Sequence, residues 1–212
     1  MLYQDIYKIR FNEIEQRNRL WKTLVNNFFQ KYVDKNDAIL DVPSGYCEFI
    51  NNIKAKLKYA VDINPDAKKF AQKKVKFIHS KASKITIKDL SIDKVFVSNF
   101  FEHITREEII KTIKEFRRIL RKDGLVLVLQ PNIRYIPHDY WMFFDHITPI
   151  DDRALTEIFS VYGFKLIKKI DKFLPYTTKS KLPKSNIFVK LYLKLPFFWP
   201  FFGRQSFLIY QK

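Results

Sequence analysis

The chain has 212 residues, a length that fits one domain able to bury roughly 70% of its unfolded surface. Its hydrophobic content of 47% excludes wholesale disorder, and its single cysteine, Cys47, excludes a disulfide framework and a cysteine-built zinc site. The net charge of +17 would suit nucleic acid, an anionic membrane or an anionic substrate, but a lysine-rich composition alone would also give it. The distribution of charge along the chain is therefore more informative than its sum.

The first residues indicate a cytoplasmic location. The sequence MLYQDIYKIRF places charges too early for the apolar run of a secretory signal. No stretch reaches the roughly 20 apolar residues of a membrane-spanning helix. The near absence of cysteine suits a reducing compartment.

The first half of the chain alternates helical and extended patterns. Apolar residues at helical spacing predict one or two leading helices in residues 11–33. The run AILDV (38–42) is short, apolar and bounded by turn signals, which is typical of a buried strand. A helical stretch from Glu48 to Lys54 and a second strand, KYAVDI (58–63), follow. Next, an Asn-Pro pair predicts the start of a helix over residues 64–74.

The second half continues the alternation. Strands are predicted at 75–80 and 94–100, and a helix over 105–124, with Thr105 as its N-cap and Gly124 as its stop. The remaining predictions are a strand at 124–130, a helix that ends at Gly163, and strands at 164–170 and 206–211. Strands that alternate with helices predict an α/β protein with an open, mostly parallel sheet.

The segment between the last two strands is unusual. Residues 172–204 are rich in lysine and aromatic residues and contain no acidic residue. A hairpin connection usually takes 2–5 residues, so this segment is predicted to be a functional insertion. Within it, residues 187–202 suit a membrane interface, with Lys190 and Lys194 at headgroup level. Packing on the sheet edge or over an acceptor pocket, and a dimer interface, are the alternatives.

The sequence LDVPSGYCEF (40–49) resembles a nucleotide-binding turn with most of its glycines replaced. The first strand ends at Asp41, and the second ends at Asp62, about 20 residues later, where an acidic side chain can meet ribose hydroxyls. Pro43 and Cys47 occupy positions where glycines are expected. Because pyrophosphate must approach the backbone closely, these replacements disfavour a dinucleotide.

Four segments together resemble the successive motifs of class I S-adenosylmethionine (SAM)-dependent methyltransferases. They are ILDVPSGYCEFI (39–50), YAVDINPD (59–66), DKVFVSNFFEHI (93–104) and RRILRKDGLVLVLQPN (117–132). The resemblance covers residues 37–170. It implies a Rossmann-like, seven-stranded sheet with helices on both faces and an antiparallel last strand, and it implies SAM as the cofactor.

The resemblance also assigns cofactor roles by position. The methionine end of SAM would be lined by Asp41, Pro43, Ser44 and Gly45, the ribose held by Asp62, the adenine packed on Ile63, and the sulfonium placed beside Asn99 and Phe100. Lys81 stands where the family often has an acidic residue that contacts the adenine amine. The backbone of Ser80 or Ala82 is expected to replace that contact.

The domain organisation that follows is one methyltransferase domain in four parts. Residues 1–36 form an N-terminal helical lid, 37–170 the cofactor-binding core, 171–204 the basic aromatic insertion and 205–212 the last strand.

Two polar clusters follow the fourth and fifth strands, where an acceptor would meet the methyl group. Glu102 and His103 match an "EH" of the family, and His103 either takes part in catalysis or caps the next helix. His146 resembles a histidine that relatives place beside cofactor and acceptor. It is the first choice for a general base, with His103 and Asp145 as further candidates and loop fixation as the alternative role. Tyr140 and Trp141 could wall an acceptor, although such residues are more often core. On residue type alone, His138, Asp139, Asp145 and His146 could bind a metal, but no metal is expected, because methyl displacement requires none.

The sequence therefore predicts a SAM-dependent methyltransferase that O-methylates a carbohydrate or small metabolite, which could be lipid-linked. The pattern over 131–150 resembles a subgroup associated with bacterial surface-polysaccharide and secondary-metabolite gene clusters. N- or C-methylation of another small molecule is one alternative. A non-catalytic adaptor of the same fold at the membrane is another. Nucleic acid is disfavoured, because NFFE (99–102) replaces the (D/N)PP(Y/F) motif of base methylation and Cys47 lies in the cofactor loop.

Overall fold

A computed structural model describes residues 6, 9, 10, 13–176 and 186–212. Its strands are β1 (Ala38–Asp41), β2 (Leu57–Asp62), β3 (Val75–His79), β4 (Ile92–Ser98), β5 (Leu120–Pro131), β6 (Lys165–Ile170) and β7 (Gln205–Gln211). They form one sheet in the order β3-β2-β1-β4-β5-β7-β6. Strands β1 to β5 pair in parallel, and β7 runs antiparallel to both β5 and β6. The predicted fold class is confirmed.

Helices cover both faces of the sheet. They are α1 (Ile14–Asn27), α2 (Glu48–Asn52), α3 (Arg106–Ile119), α4 (Asp152–Val161), α5 (Asn186–Lys194) and α6 (Trp199–Phe202). Alternate strand residues point to opposite faces. Leu40 and Val95 pack with α3 and α4, whereas Ile39 and Phe96 pack with α1, α2 and α5.

Two predicted helices differ from the structure. The helix predicted over 64–74 is a short 3-10 helix over 65–70, although Asn64 caps it as predicted by accepting the Asp66 N–H. It ends early because the chain must enter β3 at Val75, which pairs with Lys58.

The helix predicted over 105–124 ends at Ile119, so the predicted stop at Gly124 is wrong, whereas the N-cap is correct: Thr105 accepts the Glu108 N–H. Leu120 is extended and already pairs with Ile92 in the sheet. Gly124 instead serves close packing within β5, since a Cβ there would lie 2.9 Å from Leu120 Cδ2.

The N-terminal helix and the aromatic insertion contact each other. Leu24, Phe28 and Phe29 are buried in the same core as Leu193 of α5. The stretch 177–185 of the insertion lies outside the described residues. Among the described helices, none has the length and apolar character needed to cross a bilayer. The predicted boundaries of lid, core and insertion stay predictions.

Candidate active site

Residues 40–49 run from the end of β1 through a turn to the start of α2, and the turn lies against the end of β2. We call this segment the cofactor loop. Gly45 and Cys47 both adopt left-handed backbone conformations, with φ of 51° and 58°. Cys47 thus occupies a position that favours glycine, at a cost of roughly 1 kcal/mol. The Ser44 N–H donates to the backbone carbonyl of Val61 at 2.9 Å, which fixes the loop against the neighbouring strand.

Asp62 is the centre of this arrangement. Its Oδ2 accepts the Gly45 N–H and its Oδ1 accepts the Asn64 N–H, each at 2.8 Å. Burial raises the pKa of the Asp62 carboxyl, and these backbone hydrogen bonds oppose that shift without cancelling it. A carboxylate has about four acceptor sites, so two remain for a pair of ribose hydroxyls.

Three acidic side chains, Asp41, Glu48 and Asp62, interact with one another at the cofactor loop. Burial raises the pKa of Asp41 well above its usual range, and the carboxylates of Glu48 and Asp62 raise it further. Glu48 is paired with Arg17 of α1 through a 2.7 Å contact. The Oγ of Ser44 is buried and has no hydrogen-bond partner among the described residues. An orphaned hydroxyl beside mutually repelling carboxylates fits a ligand with cationic and hydrogen-bonding groups, which SAM has.

The other predicted cofactor residues lie at the carboxyl ends of adjacent parallel strands. Ile63 is 63% exposed and follows Asp62 directly. Ser80 follows β3, and its N–H donates to the Asp62 carbonyl at 3.1 Å. β4 ends at Ser98, two residues earlier than predicted. Asn99, with a left-handed φ of 48°, follows it, and Phe100 is half-buried beside Asn99. Their contacts with a cofactor stay predictions.

A second group of polar side chains joins the segment after β4 to the loop after β5. The Glu102 carbonyl accepts the N–H groups of Ile147 and Thr148 at 2.9 and 3.1 Å. The Glu102 side chain is fully buried, and burial raises its pKa. Its Oε2 accepts a 2.7 Å hydrogen bond from Gln130, whereas Oε1 has no partner within the described parts of the chain.

His103 is held by the loop after β5. Its Nδ1 lies 3.0 Å from the Asp145 backbone oxygen and 3.3 Å from the Asp145 carboxylate. Arg10 donates to both carboxylate oxygens of Asp145, at 2.6 and 3.3 Å. Burial alone would raise the pKa of Asp145, but the Arg10 hydrogen bond and the charges of His103 and Arg10 outweigh it and lower the pKa.

His146 is buried beside His103, with ring centroids 4.8 Å apart. Burial, and then the charge of His103, lower the pKa of His146 to about 4, so the imidazole is neutral at pH 7. Its Nδ1 has no hydrogen-bond partner among the residues described. We call Glu102, His103, Asp145 and His146 the polar cluster.

The structure brings the three predicted catalytic residues together but leaves other candidates outside. His138 and Asp139, considered as metal ligands, are exposed. Tyr140, considered as an acceptor wall, is fully buried and donates to the Thr148 carbonyl, whereas Trp141 is 51% exposed. Sequence reasoning missed Gln130, although a polar residue that ends an apolar strand is a readable signal. It also missed Arg10, for which the sequence offers no signal.

Residues 40–128 match the protein family described as a methyltransferase domain. Over this stretch the chain is similar to methyltransferase domains. The matched region spans the cofactor loop, Asp62, the end of β4 and the first part of β5, which are the segments that build the site. No curated protein sequence matches the chain significantly.

Solved structures, several of them named as methyltransferases, share the fold over nearly the whole length of the chain. A SAM-dependent methyltransferase of Archaeoglobus fulgidus has a TM-score of 0.69 and 19% identity, covering 92% of this chain and 94% of that chain. The PH0226 protein of Pyrococcus horikoshii has a TM-score of 0.70 and 17% identity, covering 100% and 98%. A SAM-dependent methyltransferase of Thermotoga maritima, named as a possible histamine N-methyltransferase, has a TM-score of 0.68 and 16% identity, covering 98% of each chain.

The family match and the shared fold agree with the site geometry. The prediction of a SAM-dependent methyltransferase is confirmed, and SAM is the expected cofactor. The predicted subgroup stays a prediction.

Proposed function

We propose that this methyltransferase transfers a methyl group from SAM to a hydroxyl of a carbohydrate or other small-metabolite acceptor. The observation that supports the proposal is that the cofactor loop, at the carboxyl ends of β1 and β2, and the polar cluster, after β4 and β5, lie at the same edge of the sheet. The bound cofactor supplies a methyl group on a sulfonium for in-line displacement, and much of the rate comes from positioning.

On the cofactor side, Asp62 binds the ribose hydroxyls, and Ile63 and the backbone of Ser80 face the adenine. The carboxyl group of Asp41 and the buried hydroxyl of Ser44 receive the amino-acid end. Four further residues complete this side of the site: Pro43, Gly45, Asn99 and Phe100.

On the acceptor side, the polar cluster faces the substrate oxygen. His103 is oriented through Asp145, which Arg10 in turn holds in place. His146 lies next to His103 and is neutral, so it offers a ring nitrogen rather than a charge. The exposed ring of Trp141, in the loop that carries these residues, is available to stack on a sugar.

Isothermal titration with SAM and S-adenosylhomocysteine tests the cofactor half of this proposal. Asp62→Ala removes the ribose ligand and is expected to weaken binding by about 10-fold or more, the value of a hydrogen bond to a charged group. Asp66→Ala, on the turn just beyond, is the matched control and should bind normally. A folded wild-type protein that binds neither compound would overturn the proposal.

N-methylation is the second candidate, and one similar structure carries such a name. The O-methylation and N-methylation hypotheses differ in whether the acceptor group is a hydroxyl or an amine. Fully buried Glu102, with Oε1 unpartnered in the described structure, could receive an ammonium as well as a hydroxyl. Screening matched amine and alcohol acceptors by release of S-adenosylhomocysteine separates them: turnover of amines alone would contradict O-methylation.

We further propose that residues 187–202, here called the aromatic segment, contact the anionic inner face of the plasma membrane, where a lipid-linked acceptor would lie. One side of the segment is anchored in the protein: Leu193 is buried, Tyr192 Oη donates to the Phe173 carbonyl, and Trp199 Nε1 donates to the Tyr192 carbonyl. The other side exposes eight large apolar side chains: Ile187, Phe188, Leu191, Leu195, Phe197, Phe198, Phe201 and Phe202.

The charge of the segment favours a lipid surface over a second protein. Lys190 and Lys194 are exposed beside the apolar side chains, and residues 172–204 contain no acidic group that anionic lipid would repel. Each basic residue near an anionic surface adds about 1 kcal/mol of attraction. Flotation with phosphatidylcholine vesicles, with and without phosphatidylserine, should show binding only with the anionic lipid.

Phe197→Ser combined with Phe201→Ser should abolish flotation, because the two exposed rings contact each other at the outer surface. Val161→Ser, which changes an exposed apolar residue at the end of α4, is the control. Equal flotation of the double variant and the wild type would overturn the membrane proposal without affecting the cofactor proposal.

A further inference from the structure

Three members of the polar cluster carry possible metal-ligand atoms that lie close together. Glu102, His103 and His146 each offer one ligand atom, and these atoms lie within 4.8 Å of one another. We propose that Glu102, His103 and His146 form a binding site for a divalent first-row cation such as Mn²⁺, Co²⁺ or Zn²⁺, which holds the acceptor oxygen. The role in catalysis rests on the proposed function, but the site itself does not.

Two buried atoms in this cluster are left without partners. Oε1 of Glu102 and Nδ1 of His146 belong to side chains that are 0% and 7% exposed, and neither atom forms a hydrogen bond in the described structure. An unsatisfied buried polar atom costs about 1–3 kcal/mol, and most proteins avoid it. A cation bound through these two atoms would give each of them a partner.

The surrounding hydrogen bonds are those that orient metal ligands. Nδ1 of His103 faces the Asp145 carbonyl, which requires an N–H there and leaves the lone pair on Nε2, 3.7 Å from Glu102 Oε1. Gln130 donates to the second oxygen of Glu102, and Arg10 fixes Asp145. Gln130 thus orients Glu102, and Asp145, which Arg10 holds in place, orients His103.

The chemistry of the donors selects the kind of cation. Two imidazoles and one carboxylate suit Zn²⁺, Co²⁺ or Mn²⁺ better than Mg²⁺ or Ca²⁺, which prefer all-oxygen sites. Donor atoms around a tetrahedral cation with bonds of about 2.1 Å lie roughly 3.4 Å apart, so the cluster must contract slightly on binding. His103 is half-buried, so a small change in its side-chain torsions that keeps the hydrogen bond to Asp145 can bring Nε2 closer to the other donors.

Three protein ligands leave coordination positions open to the substrate. A hydroxyl at such a position loses its proton to bulk water more readily, because the cation lowers its pKa. The oxygen then forms the new C–O bond as the bond between methyl carbon and sulfur breaks. The products are the methyl ether and S-adenosylhomocysteine.

Titration of the chelator-treated full chain with Co²⁺ alone, followed by visible absorption and calorimetry, tests the site. One Co²⁺ per chain with ligand-field bands is expected. Glu102→Gln keeps an acceptor for Gln130 but removes the carboxylate, and His146→Ala removes an imidazole. Each should weaken Co²⁺ binding by at least about 10-fold, since loss of an outer partner alone costs that much. His138→Ala removes an exposed histidine of the same loop and should leave binding unchanged.

The wild-type titration decides the question even where a variant fails to fold. Absence of a Co²⁺ complex in the wild type overturns the inference, as does a complex that survives both Glu102→Gln and His146→Ala or is lost in His138→Ala. SAM binding measured on the same samples separates the two proposals: SAM binding without Co²⁺ binding removes only the cation site, whereas loss of SAM binding removes the proposed function.

Discussion

The backbone N–H of Gly45 donates to Oδ2 of Asp62 over 2.8 Å, which ties the loop after β1 to the end of β2. This one contact couples the shape of the cofactor loop to the orientation of the proposed ribose ligand. A change in the loop backbone should therefore alter cofactor affinity even where no side chain that contacts the cofactor is lost.

Gly45→Ala tests this coupling. Gly45 has a φ of 51°, a conformation that costs a residue with a Cβ roughly 1 kcal/mol or more. We expect a loss of about 1 kcal/mol in the free energy of unfolding, measured by urea denaturation, and several-fold weaker SAM binding. Gly124→Ala, which strains β5 away from the site, is the control, and it should destabilise the protein without weakening binding to the folded fraction. Equal affinity of Gly45→Ala and wild type would contradict the coupling.

Asp41→Asn tests whether the carboxyl group of Asp41 destabilises the folded protein while it contributes to SAM binding. The folded-state pKa of Asp41 is raised, so its ionisation opposes folding. Protonated Asp41 stabilises the folded wild type fully below about pH 4. This contribution to the free energy of unfolding is lost as the pH rises through the folded-state pKa. The amide that replaces the carboxyl in the variant does not titrate. The melting temperature of the variant relative to that of the wild type should therefore increase as the pH rises toward 7. The SAM affinity of the variant should be lower than that of the wild type.

The control for this pH series is Asp123→Asn, at an exposed residue of β5 next to Gly124. It should track the wild type across the same range. A constant difference between Asp41→Asn and wild type at every pH would show that the effect is not ionisation.

Cys47 should be chemically inert in the folded protein. Burial, and then the charge of Asp41, raise the pKa of its thiol to about 12. Because only the thiolate reacts, alkylation by iodoacetamide at about pH 8 should be at least about 100-fold slower in the native protein than in denaturant. The rate is measured by mass spectrometry, and rapid native modification would mean that the cofactor loop opens.

Arg10 should stabilise the loop after β5 through its ion pair with Asp145, both of which are mostly shielded from solvent. Arg10→Ala leaves the carboxylate without this partner, and we expect a loss of about 1–3 kcal/mol in the free energy of unfolding. A double-mutant cycle with Asp145→Asn isolates the interaction, which should couple by about 1 kcal/mol or more. Additive effects of the two substitutions would contradict a direct contribution of the pair.

The sequence predicts the parts of this protein that rest on local patterns. Apolar runs that end in Asp41 and Asp62 predicted both strands and the edge at which they meet, because carboxyl ends of parallel strands lie together. The end of α3 was misplaced, because the pairing of Leu120 with Ile92 is a tertiary contact that overrides helix signals in the chain. The contact between Arg10 and Asp145 joins residues far apart in sequence, so no local pattern could indicate it.

The two hydrogen bonds that the Glu102 carbonyl accepts from Ile147 and Thr148 have a consequence for engineering. They attach the loop after β5 to the scaffold through backbone atoms, so this part of the attachment does not depend on the exposed side chains of the loop. Residues such as Trp141 and Phe144, exposed on that loop, can then be exchanged without loosening its anchorage. Libraries that randomise the exposed positions while keeping Glu102 and its neighbours offer a direct route to new acceptor preferences on this scaffold.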